Sequence, residues 1–488
     1  MKNEREVGLP RKVHMVAVCG TGMGALALLF REAGVRVTGS DLQAYPPMGD
    51  MLRRAGVAIL SGYAAGNVPA DADCVVVGNA VSRDNPEVEA AVRAGIPRTS
   101  LPEALADFFL KGRRSVVVVG THGKTTSTSI LAWLLECAGL APGFLVGGEP
   151  TNFASSSRLG SGPFFVTEGD EYDSAFFDKR PKFLHYRPEL ALFTSLEFDH
   201  ADIYPDLDAL RRAFAGFVRL LPPSGLLMVC DQYPDARSVA GEAACPVETY
   251  GYGEGADLHG VYCLGNNGEP TLEIVHKGDP LGSFSLPLAG RHNGLNVLGC
   301  VGILRRIGVS TERIRQGLAG FLGVRRRQEP VGEAGGVLFL DDFAHHPTAV
   351  RETLQAVRMK YPGRRLLAVF EPRTHTSRRR TFQEEYVDAF LGADISFCLP
   401  VFRSEALDVS ERFDPVLWSR MLQQRGGKAQ AVSGTDHLQQ RLLETCRAGD
   451  VVLFMSSGDL SGVVSVLTGK RGESNGASVP PAAGGSES

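Results

Sequence analysis

One heptapeptide constrains the fold of this chain more than any other segment. Residues 120–126 read Gly-Thr-His-Gly-Lys-Thr-Thr, after the apolar run SVVVVG and before the helical STSILAWLLECAG. A buried strand that enters a long helix through a glycine turn belongs in a parallel sheet with helices on its faces. The strict Walker pattern requires a glycine five places before Gly123, where Val118 stands. The physics of a phosphate loop survives that mismatch. Gly120 and Gly123 allow backbone N–H groups to wrap phosphate oxygens. Lys124 brings a point charge to the terminal phosphates, and Thr125 offers a hydroxyl to Mg²⁺. Thr121, His122 and Thr126 complete a candidate ATP loop.

The same unit recurs along the chain: a short β-branched run, a glycine turn, a helical stretch. VHMVAVCG at 13–20, DCVVVG at 73–78, RRLLAVF at 364–370 and GDVVLFM at 449–455 are examples. This alternation predicts an α/β chain with parallel sheets and ligand sites at the turns after strands. At roughly 150 residues per domain, 488 residues argue for about three domains. The polar joint Lys111–Arg114 and the end of TERIRQGLAGFLG at Gly323 mark two boundaries. The expected plan is a Rossmann-like domain over 1–112, a central P-loop ATPase-like domain over 113–323 and a Rossmann-like domain over 324–470. Within the central domain, 225–290 reads as meandering β structure. Residues 471–488, RGESNGASVPPAAGGSES, form a low-complexity tail that cannot bury a core.

Composition narrows the setting. Apolar residues make 43% and charged residues 22%, which excludes disorder over most of the length. With 51 Lys plus Arg against 55 Asp plus Glu, the chain has no global basic field, and no nucleic acid partner is expected. No apolar run reaches the roughly 18 residues of a membrane span, and the N-terminus carries no signal-type apolar core. The nine cysteines include no close pair, which excludes CxxC-type sites and argues against a disulfide framework. A soluble, reducing, cytoplasmic setting without membrane contact is expected.

Two further turns carry chemistry. Residues 20–25 read Gly-Thr-Gly-Met-Gly-Ala between a strand and a helix, with Asp41 about twenty residues on. That is a dinucleotide-type layout, in which glycines permit approach to a pyrophosphate at a helix N-terminus. The pyrophosphate could belong to NAD or to a UDP-sugar, or the turn could be a bare βα connection. Residues 168–173, Glu-Gly-Asp-Glu-Tyr-Asp, end another strand. A carboxylate there, across the sheet from a phosphate loop, is where Mg²⁺ would be held; a solvated acidic turn is the alternative. Glu197, Asp199, His200 and Asp202 cluster past the next strand, as a second metal site or a structural histidine.

GTHGKTT, EGDEYD, SLEFDHADIY, LAGRHNGLN at 288–296 and DDFAHHPT at 341–348 occur in that order. Together they resemble the Mur ligases, ATP-dependent amide ligases of peptidoglycan synthesis, over about residues 12 to 469. HMVAVCGTGMG, GSD and DDFAHHPT resemble the branches that charge UDP-N-acetylmuramate itself. One branch adds L-alanine; the other adds the recycled tripeptide L-alanyl-γ-D-glutamyl-meso-diaminopimelate. The long EGDEYDSAFFDKRPKFLHYRP segment, GGEPTNF at 147–153 and FEPRTHTSRRR at 370–380 resemble the tripeptide branch. THT replaces the SNT of that branch's EPRSNT, and Ser456–Gly462 departs from its SNGGFGG.

The resemblance implies ligation through an acyl phosphate in peptidoglycan recycling, with L-alanine as the alternative acceptor. It places Lys124 on the phosphates, Thr125 and Glu168 on a first Mg²⁺ and His200 on a second. His292, Asn293 and Asn296 resemble an adenine-contacting helix, and Asp342 a ribose-binding acid. Arg326 and Arg327 follow the second boundary, either to reach phosphate on closure or as a plain interdomain basic patch. Gly20, Thr21, Gly22, Met23, Gly24, Ser40, Asp41, Asn79 and Ser82 fall to the UDP-sugar, and His345 and Arg373 to the peptide. Other branches carry a carbamylated lysine about fifteen residues after the metal histidine. Here no lysine occurs between Lys182 and Lys277, in agreement with the muramate-charging branches. A monomer or weak oligomer is expected.

Overall fold

The computed structural model describes residues 8–44, 48–199, 203–265 and 269–469. The tail expected over 471–488 and the metal ligand expected at His200 lie outside them. Among the described residues the chain divides into two compact units. One takes residues up to Arg327 together with Arg351–Pro362; the other takes Gln328–Val350 and the chain from Gly363.

The first unit holds two large sheets. The smaller is parallel throughout, with β1 (Lys12–Val16) central between β2 (Arg36–Asp41) and β3 (Cys74–Val77). Ala58–Ser61 and Arg98–Ser100 form its edges. Helix α1 (Thr21–Glu32) starts at the first glycine turn. Val13, Met15 and Val16 of β1 are fully buried, as a central strand covered on both faces requires.

The second sheet has ten strands. Its centre is β4 (Arg114–Val119), hydrogen-bonded in parallel to β5 (Phe164–Gly169) and β6 (Leu190–Phe193). Val116 to Val119 have no exposed surface. At about 1.5 kcal/mol or more for each buried valine, these residues hold the strand firmly while the loop beyond it stays polar. Helix α2 (Lys124–Cys137) leaves that loop, and α3 (Arg291–Ile307) packs against it. The meandering region is the far side of this sheet, where Leu258–Leu264, Pro270–His276 and Asp279–Ser285 pair antiparallel.

The second unit is built on a six-stranded sheet. Its parallel centre runs β7 (Val337–Asp342), β10 (Val451–Met455), β8 (Leu366–Phe370), β9 (Ile395–Cys398). Among the parallel strands of each sheet the C-terminal ends emerge on one edge, and the candidate residues follow from those ends.

Candidate functional site

Three neighbouring strands of the second sheet end side by side, so their following loops share one edge. β4 gives the phosphate loop, β5 gives Glu168, and β6 gives Ser195 and Glu197. The loop needs glycine at two places. Gly120 has φ +133 and Gly123 has φ +81, both in the region that favours glycine. A side chain at Gly120 would run into Thr194 and Ser195, and one at Gly123 into Asn296. The Ser195 hydroxyl accepts from the His122 amide at 2.7 Å and meets Thr121 Oγ1 at 3.1 Å. His122 Nε2 lies 2.8 Å from Glu197 Oε2.

Lys124 lies along the loop, donating to the Gly120 carbonyl at 2.5 Å and to both oxygens of Glu171 at 2.8 and 3.0 Å. Glu171 has no exposed surface. Burial by itself pushes the ammonium pKa down, but the carboxylates of Glu171 and Asp170 outweigh it and hold the pKa above its ordinary value. Lys124 is therefore charged at neutral pH. Glu171 was not singled out from the sequence as a site residue. Its only sequence signal was membership of an acidic run in which burial alone distinguishes one carboxylate from another.

The Thr125 hydroxyl donates to Glu168 Oε2 at 3.0 Å, and the Gly147 amide donates to Oε1 at 2.5 Å. Burial raises the Glu168 carboxyl above its ordinary range, against the pull of the Gly147 amide and Lys124. Two hard oxygens 3.0 Å apart fit a small divalent cation. Adjacent ligands of an octahedral Mg²⁺ at about 2.1 Å stand roughly 2.9 Å from each other. Thr126 is buried in the first turn of α2.

At the start of α3, Asn293 donates to the Ala289 carbonyl at 2.7 Å, and Asn296 donates to Asn293 at 3.3 Å. The Asn296 amide sits over Gly123, so α3 and the phosphate loop are neighbours. His292 Nδ1 is buried with no hydrogen bond. Burial, with Arg327 and His122 nearby, lowers its pKa to about 4, so the ring is neutral at pH 7. Arg326 has φ +60 in the segment leaving the first unit.

The first glycine turn is packed more tightly against protein than the sequence suggests. A side chain at Gly24 would strike Met48, and one at Gly22 would come within 3.0 Å of Leu101. Met23 is buried in the core, and the buried Ser40 donates its hydroxyl to Glu87. Both side chains are thus turned inward. Asp41 accepts the Cys19 and Leu42 amides at 2.8 Å, tying the turn to β2. Gly20 and Thr21 open α1 at the strand end, Asn79 is exposed, and Ser82 bonds Asp84.

In the second unit Asp342 ends β7, and its oxygens accept the Gln328 and Ala344 amides at 2.8 and 2.7 Å. His345 Nδ1 lies 3.0 Å from the Phe343 carbonyl. Arg373 follows β8. It pairs with Glu371 at 3.2 Å and lies over the Phe402 ring, 3.6 Å from its centroid. The Glu371 carboxylate also accepts the Ser456 hydroxyl from the end of β10. The two segments in which the sequence departs from its resemblance, 374–376 and 456–462, therefore flank the same strand ends.

Three family profiles match in tandem: "Mur ligase family, catalytic domain" over residues 12–113, "Mur ligase middle domain" over 118–304 and "Mur ligase, glutamate ligase domain" over 326–458. The UDP-N-acetylmuramate–L-alanyl-γ-D-glutamyl-meso-2,6-diaminoheptandioate ligase of Escherichia coli K12 is 38% identical over 456 residues, 93% of this chain and 96% of that protein. A UDP-N-acetylmuramate–L-alanine ligase of Desulfitobacterium hafniense is 34% identical, covering 93% and 98%. The crystal structure of a murein peptide ligase from Psychrobacter arcticus superposes with a TM-score of 0.71 at 33% identity, covering 94% of this chain and 98% of that one.

Proposed function

For this chain, which belongs to the Mur ligase family, we propose the ATP-dependent joining of UDP-N-acetylmuramate to L-alanyl-γ-D-glutamyl-meso-diaminopimelate. The observation that carries the reading is the shared edge of β4 and β5, where Lys124, Thr125 and Glu168 converge on one phosphate loop. No described helix is long and apolar enough to cross a membrane, and the reaction is assigned to the cytoplasm, where ATP is available.

A carboxylate is a poor acyl donor. Transfer of the γ-phosphoryl group to the muramate carboxylate makes an acyl phosphate, and the peptide amine then displaces phosphate to form the amide. Both partners of the first step are anionic. Lys124 supplies one screening charge, and the loop amides between Gly120 and Lys124 supply oriented dipoles. Thr125 and Glu168 would hold a Mg²⁺ that neutralises charge developing on the phosphates. The neutral His292 and the Asn293–Asn296 pair border the loop and would line the base of the nucleotide. Gly20 to Gly24 at the N-terminus of α1, with Asp41 fixing the turn, would receive the UDP pyrophosphate. In the second unit Arg373 would pair with an acceptor carboxylate, its fork geometry suiting bidentate recognition.

The acceptor is tested by steady-state phosphate release with ATP, UDP-N-acetylmuramate and either the tripeptide or L-alanine. The tripeptide is expected to be used far better. Arg373→Ala should depress tripeptide use at least about tenfold and leave any slow L-alanine reaction nearly unchanged. A wild-type preference for L-alanine would overturn the acceptor assignment. An equal fall with both acceptors would return Arg373 to the common chemistry or the fold.

A further inference from the structure

The turn after β8 buries a second arginine, Arg378. TSRRR at 376–380 holds three consecutive arginines. In the fold its members part company. Arg379, half-buried, pairs with Glu411 at 3.0 Å. Arg378 is only 9% exposed. Its guanidinium meets the Phe402 carbonyl at 3.5 Å and His375 Nδ1 at 3.3 Å. Its Nε is buried without a hydrogen-bond partner. Among the described residues no carboxylate forms an ion pair with it.

A guanidinium cannot shed its proton to relieve burial, so a buried one needs an anion or a full set of acceptors. Arg378 has neither. The same Phe402 whose carbonyl meets Arg378 carries two other guanidinium groups over its ring. Arg373 lies 3.6 Å and Arg403 5.2 Å from the ring centroid. Arg403 has φ +46, a left-handed conformation that is uncommon for a residue with a side chain. It is exposed and has no acidic partner among the described residues. Gly458 completes the group, since a side chain there would come within 2.7 Å of the Arg373 guanidinium. Three arginines thus gather on one aromatic residue with one carboxylate, Glu371, which already serves Arg373 and Ser456.

We propose that this Phe402-centred arginine cluster is a receptor for the several carboxylates of the acceptor, with Arg378 and Arg403 as specificity-determining residues beside Arg373. The inference rests on the tripeptide reading of the acceptor. The tripeptide carries three free carboxylates, one on its glutamyl residue and two on diaminopimelate, whereas L-alanine carries one. A cluster with two cations in excess matches the first acceptor and is superfluous for the second. Arg378, being desolvated, contributes most of the discrimination. Arg403, being exposed, contributes less and acts mainly through screening-sensitive attraction.

The test uses the full-length protein, with KM and kcat measured for ATP, UDP-N-acetylmuramate, the tripeptide, and tripeptides in which each carboxylate in turn is converted to an amide. Arg378→Gln should raise the tripeptide KM at least about tenfold with kcat within about threefold and the other two KM values unchanged. Arg378→Lys should recover part of that loss. Wild type should be penalised by amidation at one carboxylate in particular, and that penalty should vanish in Arg378→Gln, as coupled partners require. An unchanged tripeptide KM, or an amidation penalty identical in both proteins, overturns the proposal. If Arg378→Gln fails to fold, Arg403→Gln and the wild-type amide series decide. An Arg403→Gln tripeptide KM equal to wild type, with indifference of wild type to amidation at every carboxylate, would overturn it. A wild-type preference for L-alanine would instead sink the acceptor reading itself, a result distinguishable from a tripeptide-specific enzyme whose arginine variants bind peptide normally.

Discussion

The phosphate-loop edge of the first unit and the arginine cluster of the second treat charge in opposite ways. At the loop, each carboxylate has its partner inside the protein: Glu171 the Lys124 ammonium, Glu197 the His122 ring, Glu168 the Thr125 hydroxyl. At the cluster, among the described residues, Arg378 and Arg403 pair with no acid, and Arg373 shares Glu371 with Ser456. The difference teaches how each site is filled. A nucleotide entering the loop must exchange for internal partners, so the unliganded loop is already organised. A polyanionic acceptor entering the cluster supplies charge that the fold withholds. The first arrangement favours a fixed geometry for chemistry, the second a strong preference among acceptors.

The comparison is most severely tested at Lys124. If the loop is organised around this ammonium, Lys124→Ala should leave a folded protein whose ligation rate falls by at least about a hundredfold, the cost typical of losing one charge-assisted contact in a transition state. Phosphate release with saturating substrates reads it. A rate within about threefold of wild type would detach Lys124 from the chemistry.

The other half of the pair is expected to act on stability. Lys124 and Glu171 have side chains 14% and 0% exposed, so removing one charge leaves the other buried alone. Breaking such a pair typically costs about 3–5 kcal/mol. Glu171→Gln should therefore lower the stability of the nucleotide-free protein by about that much, by denaturant titration. Adding Lys124→Met to it should recover part of the loss, since the two residues are coupled. ATP should stabilise Glu171→Gln more than it stabilises wild type, because binding no longer has to separate the pair. Equal stabilisation of both proteins would mean that Glu171 does not compete with phosphate for Lys124.

How much of this was legible in the sequence follows from how local each signal is. The loop, its strand and its helix are contiguous, and glycines at 120 and 123 announce the backbone they adopt. The parallel sheets were legible for the same reason, since each β-branched run ends in its own turn. Thr125 and Glu168 lie 43 positions apart in sequence, yet both sit at ends of adjacent strands, so the strand-end rule brought them together correctly. The misses are residues whose role is decided by burial. Glu171 is one acid among four in EGDEYD, and Arg378 one cation among three; neighbours in sequence face opposite ways once folded. Met23 and Ser40 show the converse. Their positions in the turn and at the strand end were right, but alternation and helix rotation carry both side chains inward.

The smallest predicted effect concerns the neutral residue at the loop's border. His292 is the reverse of Arg378, a titratable ring that the fold keeps uncharged. Burial is the main cause, and the nearby Arg327 and His122 add to it, so the pKa falls from the ordinary 6.5 to about 4. Between those values the unfolded chain binds a proton that the folded protein refuses. Stability due to this ring is therefore complete above about pH 6.5 and is lost as pH falls toward 4. The full shift corresponds to about 3 kcal/mol, and the exposed edge of the ring reduces the expected figure to about 2 kcal/mol. His292→Asn keeps a polar group of similar breadth and removes the titration. Urea titrations of both proteins at intervals from pH 7 to pH 4.5 should show wild type losing about 2 kcal/mol more than the variant. Parallel stability curves would mean that His292 accepts its proton in the folded state, and the loop's border would then carry a positive charge in mild acid.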